Sequence, residues 1–274
     1  MSITEITKER RNDIMGRSKI DRTGEKNINN FGSEMIITKY RNTMNIDVYF
    51  PEYDWSFKSA TYQHFKKGNI KCPYERSVFG IGYFGGGKYE STKNGKNTKV
   101  YDTWYDMLRR CYDSKYHEKS PTYIGCKVCE EWRNFQNFAK WYEDNYYEVG
   151  NETMNLDKDI LFKYNKIYSP ETCIFVPQTI NKLFVKSDKS RGESVIGTHY
   201  LKNGKYRAYC NLLNPKTGKS KQEYLGHYTT QQEAFEVYKY YKEKNIKEVA
   251  NYYRNLITIK LYNALYNYQV EITD

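Results

Sequence analysis

No run of apolar residues in this 274-residue chain approaches the roughly 20 needed to cross a bilayer. No basic amphipathic helix stands apart to lie on a membrane surface either, so we expect no membrane partner. The first eleven residues are polar and charged, which argues against a secretory signal. Without one, the six cysteines (72, 111, 126, 129, 173 and 210) are expected to be reduced thiols in the cytoplasm, not a disulfide framework. The glycines at Gly80, Gly82, Gly85, Gly86 and Gly87 lack the Lys-Ser/Thr of a phosphate-binding loop and the strand-to-helix setting of a dinucleotide site. They read as strand punctuation, and no small-molecule cofactor is expected.

Negative charge is also scarce. Lysine and arginine total 44 against 33 acidic residues, a formal net charge of +11 with a pI near 9.1. A polyanion is the natural partner. The imbalance is sharpest between residues 182 and 221. There Lys182, Lys186, Lys189, Arg191, Lys202, Lys205, Arg207, Lys216, Lys219 and Lys221 face only Asp188 and Glu193. Such clustering is the footprint of phosphate binding, although a charge run alone is also what a solvated surface shows. Aromatic residues are plentiful, with 30 Tyr, 12 Phe and 4 Trp, and most are expected to serve as core, the remainder being available to stack on bases.

The patterning predicts an α+β chain. Residues 1–34 carry scattered bases and no apolar period and are read as a flexible basic arm. Residues 35–100 hold short alternating runs (35–40, 46–50, 62–65, 69–72 and 78–83) and are read as a small β-rich module. Helical spacing follows in Trp104, Met107, Leu108 and Cys111, and again in Trp132, Phe135, Phe138, Ala139 and Tyr142, flanking a polar loop at 113–123. Strands at 154–162 and 172–176 and a helix at 178–185 then give a strand, strand, helix order within a module spanning 101–186. Residues 186–193 look like a linker.

Beyond it, 194–200, 205–212 and 222–228 alternate as three strands, with turns at 202–204 and 214–218. Thr230 and Glu233 form a capping box for a helix to about residue 245. This is a three-stranded antiparallel sheet with one helix on its back, in a module assigned to 194–256, with a tail at 257–274. Period-two alternation puts Lys205, Arg207 and Tyr209 on one face and Tyr206, Ala208 and Cys210 on the other, against the helix.

Ser194-Val195-Ile196-Gly197, Gly204-Lys205-Tyr206-Arg207-Ala208, Tyr224-Leu225-Gly226-His227-Tyr228 and Glu233-Ala234 to Tyr238 make the C-terminal module resemble the APETALA-type DNA-binding domain. That resemblance implies a sheet lying in the major groove of double-stranded DNA, with Tyr200, Lys205, Arg207, Tyr209 and Lys221 as contacts. The central region resembles the HNH-like proteins of tailed phages. The likeness rests on Trp104-x-x-Met107-x-x-Arg110-Cys111-Tyr112, Pro121-Thr122-Tyr123, Val128-Cys129-Glu130-Glu131-Trp132, Leu156-Asp157-Lys158-Asp159 and Tyr168-Ser169-Pro170-Glu171-Thr172-Cys173. It implies a ββα-metal module in which Asp157 and Asn181 hold a divalent ion, expected to be Mg2+, that polarises the scissile phosphate.

The match departs from the HNH pattern where the base belongs. Lys158 stands in place of the histidine and Thr172 in place of its orienting asparagine. Lys158 is left to stabilise phosphorane charge, or to act as base if desolvated. His117, the only histidine of the central module, is the candidate replacement base, an ordinary surface histidine being the alternative. Cys126-x-x-Cys129 with Cys111 and Cys173 reads as small buried thiols, with a structural Zn2+ site as the alternative. Together the resemblances imply a monomeric, metal-dependent homing endonuclease of the host-cell cytoplasm. The alternative is a non-catalytic DNA-binding regulator with a decayed nuclease module.

Overall fold

Apolar residues at every second position build the first sheet of the computed structural model, which describes residues 20–184 and 194–274. Strands β1 (Lys26–Ile28), β2 (Glu34–Asn42), β3 (Asn45–Phe50) and β4 (Trp55–Ala60) pair antiparallel in chain order. Met35 and Ile37 of β2 and Ile46, Val48 and Phe50 of β3 are fully buried, as a sheet with one covered face requires. They pack with Phe65 of helix α1 (Tyr62–Lys66) and with Ile70 and Cys72.

Several expectations fail in this unit. Residues 62–65 are helical because Thr61 accepts the His64 N–H as an N-cap, and the aromatic spacing turns only Phe65 fully inward. Residues 69–72 hold no strand, and 78–83 hold isolated bridge residues, Val78 with Gly82 among them, in place of a strand. The first 19 residues of the expected arm lie outside the described residues, and the rest is no arm, since β1 pairs with β2. Buried Asn29 holds the connection. Its amide donates to the Ile70 carbonyl and to Glu75, and its oxygen accepts the Phe31 and Ser33 N–H groups. A polar hub of this kind leaves no apolar period to read. The compact unit ends at Gly87, and a second unit runs over 88–274.

The second unit opens with a two-residue hairpin, β5 (Thr92–Lys93) and β6 (Lys96–Asn97), and then α2 (Lys99–Tyr112). Trp104, Met107, Leu108 and Cys111 are buried on one face of α2. The stretch expected to be a polar loop is instead α3 (Ser114–Lys119), capped by Asp113, and a 3-10 turn. Short and without buried residues, α3 has no apolar face to announce it. Next come β7 (Lys127–Val128), α4 (Phe135–Asn145), β8 (Met154–Asp157), β9 (Ile167–Tyr168), β10 (Ile174–Pro177) and the one-turn α5 (Gln178–Asn181). β7 pairs parallel with β9, and β8 antiparallel with β10. The strand, strand, helix order is present, with β8 ending at Asp157 where that side chain turns the chain.

The C-terminal sheet is β11 (Thr198–Tyr200), β12 (Tyr206–Asn214) and β13 (Lys219–Tyr228), in that order. Helix α6 (Gln231–Tyr253) lies behind it, started by the Thr230–Glu233 capping box. It passes residue 245 because Ile246, Val249, Ala250 and Tyr253 continue the helical period into the core. Residues 257–274 are no tail, since α7 (Ile259–Tyr266) buries Leu261 and Leu265, and Val270 follows them inside. Nor do the central and C-terminal regions form separate modules. Val176, Ile180 and Leu183 share one core with Cys210, Leu213, Ile246 and Val249. The expected linker at 186–193 lies outside the described residues.

Because β11 covers only the start of β12, the edge of β12 beyond it is open, and Asn245 closes it. Its side-chain oxygen accepts the Leu213 N–H at 2.8 Å and its amide donates to the Leu213 carbonyl at 2.9 Å, all buried. Asn245→Leu keeps the volume and orphans both backbone groups, so denaturant unfolding should show a loss of about 2–4 kcal/mol. A loss below about 0.5 kcal/mol would mean that water replaces the amide.

Candidate nucleic-acid interface and ββα site

The face of the C-terminal sheet turned away from α6 is built by register. His199, Arg207 and His227 stand side by side across β11, β12 and β13, and all three are exposed. Tyr209 is opposite Tyr224, and Asn211 is opposite Gln222. A bulge between Tyr224 and Gly226 inserts Leu225 and reverses the alternation, so Tyr224 and His227 share a face although three residues apart. Their contact follows, with the Tyr224 hydroxyl 3.2 Å from His227 Nδ1. Glu223, the one acidic residue of the three strands, is paired with Cys210 on the helix side. Arg207 therefore has no ion pair among the described residues.

At the end of β8, Asp157 Oδ1 accepts the backbone N–H groups of Asp159 at 2.9 Å and Ile160 at 2.8 Å. Its second oxygen has no hydrogen bond among the described residues. Burial, and next the charge of Asp159, raise the Asp157 carboxyl above the ordinary range, against the N–H donors and the Lys158 ammonium. Asn181 ends α5, which packs on β8 and β10, and its half-buried amide makes no hydrogen bond among the described residues. A carboxylate oxygen and an amide oxygen are ligand types that a hard divalent ion accepts, but Asp157 is opposite Ile174, at the end of the hairpin away from Pro177, where α5 begins, and no hydrogen bond joins Asp157 to Asn181. Among the described residues no three His, Cys, Asp or Glu side chains come together as a metal set.

Lys158 is only 8 % exposed, and its ammonium pairs with Asp159 at 3.1 Å. Burial acts to lower its pKa, but the charge and hydrogen bond of Asp159 prevail and the net shift is upward. Lys158 is therefore a fixed cation, which corrects the expectation of a desolvated base. His117 sits on α3, not in a loop, with Nε2 2.8 Å from the Arg110 carbonyl. No hydrogen bond joins it to Asp157, Lys158 or Asn181. Thr172 donates to the Ile167 carbonyl at 2.7 Å. The cysteines are free, and burial pushes the Cys111 and Cys173 thiols up to about 12.

No known family model, curated protein or solved structure matches the chain.

Of the five expected DNA contacts, Arg207 and Tyr209 lie on the outward face, and exposed Lys205 closes the turn leading into it. Tyr200 and Lys221 are exposed but pair with Tyr206 and Leu212, on the helix side of the pleat, and Lys221 sits 3.5 Å from Glu223. The same outward face carries His199, Asn211, Gln222, Tyr224 and His227, which the sequence pattern did not single out. The glycine at 226, which takes φ +120°, was the available signal of a bulge. Among the described residues no helix is long and apolar enough to cross a membrane.

Proposed function

We propose that this protein binds double-stranded DNA through the outward face of the β11–β13 sheet. The observation that carries the reading is the carboxylate-free face on which His199, Arg207 and His227 form one row, continued by Tyr209, Tyr224, Asn211 and Gln222. Three strands about 4.8 Å apart span roughly 10 Å, which suits a major groove about 12 Å wide. Guanidinium, amide and imidazole groups on such a ribbon pair with phosphates and with base edges. The excess of basic residues supports the same partner.

Arg207→Ala tests this by anisotropy with duplex DNA over a salt series. A base contact should cost about 1–3 kcal/mol and relax preference at one position. A phosphate contact should weaken all sequences alike and reduce the salt slope by about one. Unchanged affinity and slope together would remove the sheet face from the interface.

A second reading adds hydrolysis, as in a homing endonuclease, and is favoured by the unclaimed oxygen of Asp157 and the unclaimed amide of Asn181 in one ββα unit. These residues would hold Mg2+, which supplies charge neutralisation at a phosphodiester. Asp157 also holds the turn after β8, and Lys158 contributes fixed positive charge beside it. Incubating the protein with duplex DNA, with and without magnesium, decides between the readings. Binding without cleavage in either buffer would leave a DNA-binding regulator.

A further inference from the structure

Two cations of the second unit share a pair of tyrosine rings. The Arg110 guanidinium, on α2, lies 5.7 Å from the Tyr123 ring centre, and the Lys158 ammonium lies 6.0 Å from the same ring and 5.9 Å from that of Tyr168. Arg110 is half-buried and pairs with no carboxylate among the described residues. Its neighbour Arg109 differs, having Asp106 at 2.9 Å. The one acid bonded to Lys158 is exposed Asp159. Burial disfavours the Arg110 charge, but the Tyr168 hydroxyl, to which the guanidinium donates, and Tyr123 favour it and prevail, so a charged guanidinium stands here with no carboxylate to neutralise it. A planar fork with five donors fits the paired oxygens of a phosphodiester.

We propose that Arg110, with Lys158 beside it, forms a seat for a backbone phosphate of nucleic acid next to Asp157. Tyr123, half-exposed over both cations, forms the rim, and the His117 ring against the Arg110 carbonyl steadies the end of α2. The inference rests on the DNA-binding reading and deepens it, adding a second contact to the one made by the sheet. The seat is insensitive to base identity, because it meets only phosphate oxygens.

The test measures binding of a random-sequence duplex to the full chain over a salt series, for wild type, Arg110→Gln, Arg110→Lys and Arg207→Ala. Arg110→Gln should weaken affinity about three- to ten-fold and lower the salt slope by about one, and Arg110→Lys should restore the slope. Thermal unfolding accompanies each variant. If Arg110→Gln does not fold, Lys158→Gln is read in its place with the same expected loss of slope. Should wild type bind and Arg207→Ala weaken it while the Arg110 or Lys158 variants keep wild-type affinity and slope, the seat is wrong and the DNA reading stands. Failure of the wild type to bind duplex overturns both. Where magnesium supports cleavage, the Arg110→Gln rate under saturating protein should fall as well.

Discussion

Gly197→Ala should destabilise the second unit by about 3–5 kcal/mol. A Cβ at this position would stand 2.1 Å from Cγ and Cδ2 of Tyr238, far inside contact distance, and Tyr238 is buried against the sheet. The residue also takes φ +74°, a left-handed conformation that costs an L residue roughly 1–2 kcal/mol. Overpacking adds about 1–3 kcal/mol more. Gly197 cannot slide away, because its carbonyl accepts the Tyr209 N–H at 3.0 Å and its neighbour Thr198 begins β11. Gly204 provides the comparison, with φ +78° and nothing within 4 Å of where a methyl would stand, so Gly204→Ala should cost only the backbone share, about 1–2 kcal/mol. Denaturant unfolding of both variants checks the difference. Equal losses would show that the Tyr238 ring yields and that the close approach has no energetic weight. A damaged β11 should also displace His199 from its row, so DNA affinity should fall with stability in Gly197→Ala and not in Gly204→Ala.

Asp157→Asn should raise stability at neutral pH while slowing any cleavage. The amide oxygen can still accept the Asp159 and Ile160 N–H groups, so the turn after β8 keeps its hydrogen bonds. What is lost is a carboxylate that burial and Asp159 disfavour in its charged form. In the folded protein this carboxyl holds its proton to a higher pH than the unfolded chain, where an aspartate releases it near 3.9. The contribution to stability is therefore full below about pH 4 and is lost as pH rises through the folded value. At about 1.4 kcal/mol per pKa unit, the Asn variant should gain on the order of 1–3 kcal/mol at pH 8 and nothing at pH 4. If Asp157 holds a metal ion, exchanging its anionic oxygen for a neutral amide oxygen weakens that hold, and a loss of several kcal/mol of charge stabilisation should slow cleavage on the order of 10³-fold, with binding retained. A variant that loses stability at pH 8 and loses binding together with cleavage would make Asp157 a folding residue alone.

The two expectations draw on different levels of the chain. Period-two spacing at Lys205, Arg207 and Tyr209, the Thr230–Glu233 capping box, the apolar faces of α2 and α4, and the strand, strand, helix order around Asp157 are all written in near neighbours. Local backbone geometry and side-chain period suffice to form them. The charge excess likewise belongs to composition and needs no fold to point toward a polyanion.

Other features came from contacts between residues distant in sequence. Lys158 looks like a base displaced from a motif until burial beside Asp159, Tyr123 and Tyr168 makes it a fixed cation. Arg110 reads as one more residue of a helix until the chain returns Tyr123 to it without a carboxylate. The Leu225 bulge decides which side chains of β13 face outward, and it exists because Leu225 packs on the core and Gly226 can take φ +120°. The linker-like composition at 186–193 suggested two modules, yet Ile180 on one side of it in sequence and Leu213 and Ile246 on the other belong to a single core. Local pattern determines which elements form and which way their regular parts face. Desolvation, charge pairing and shared burial depend on partners far along the chain, so only the tertiary structure decides which of those side chains are charged, paired or exposed.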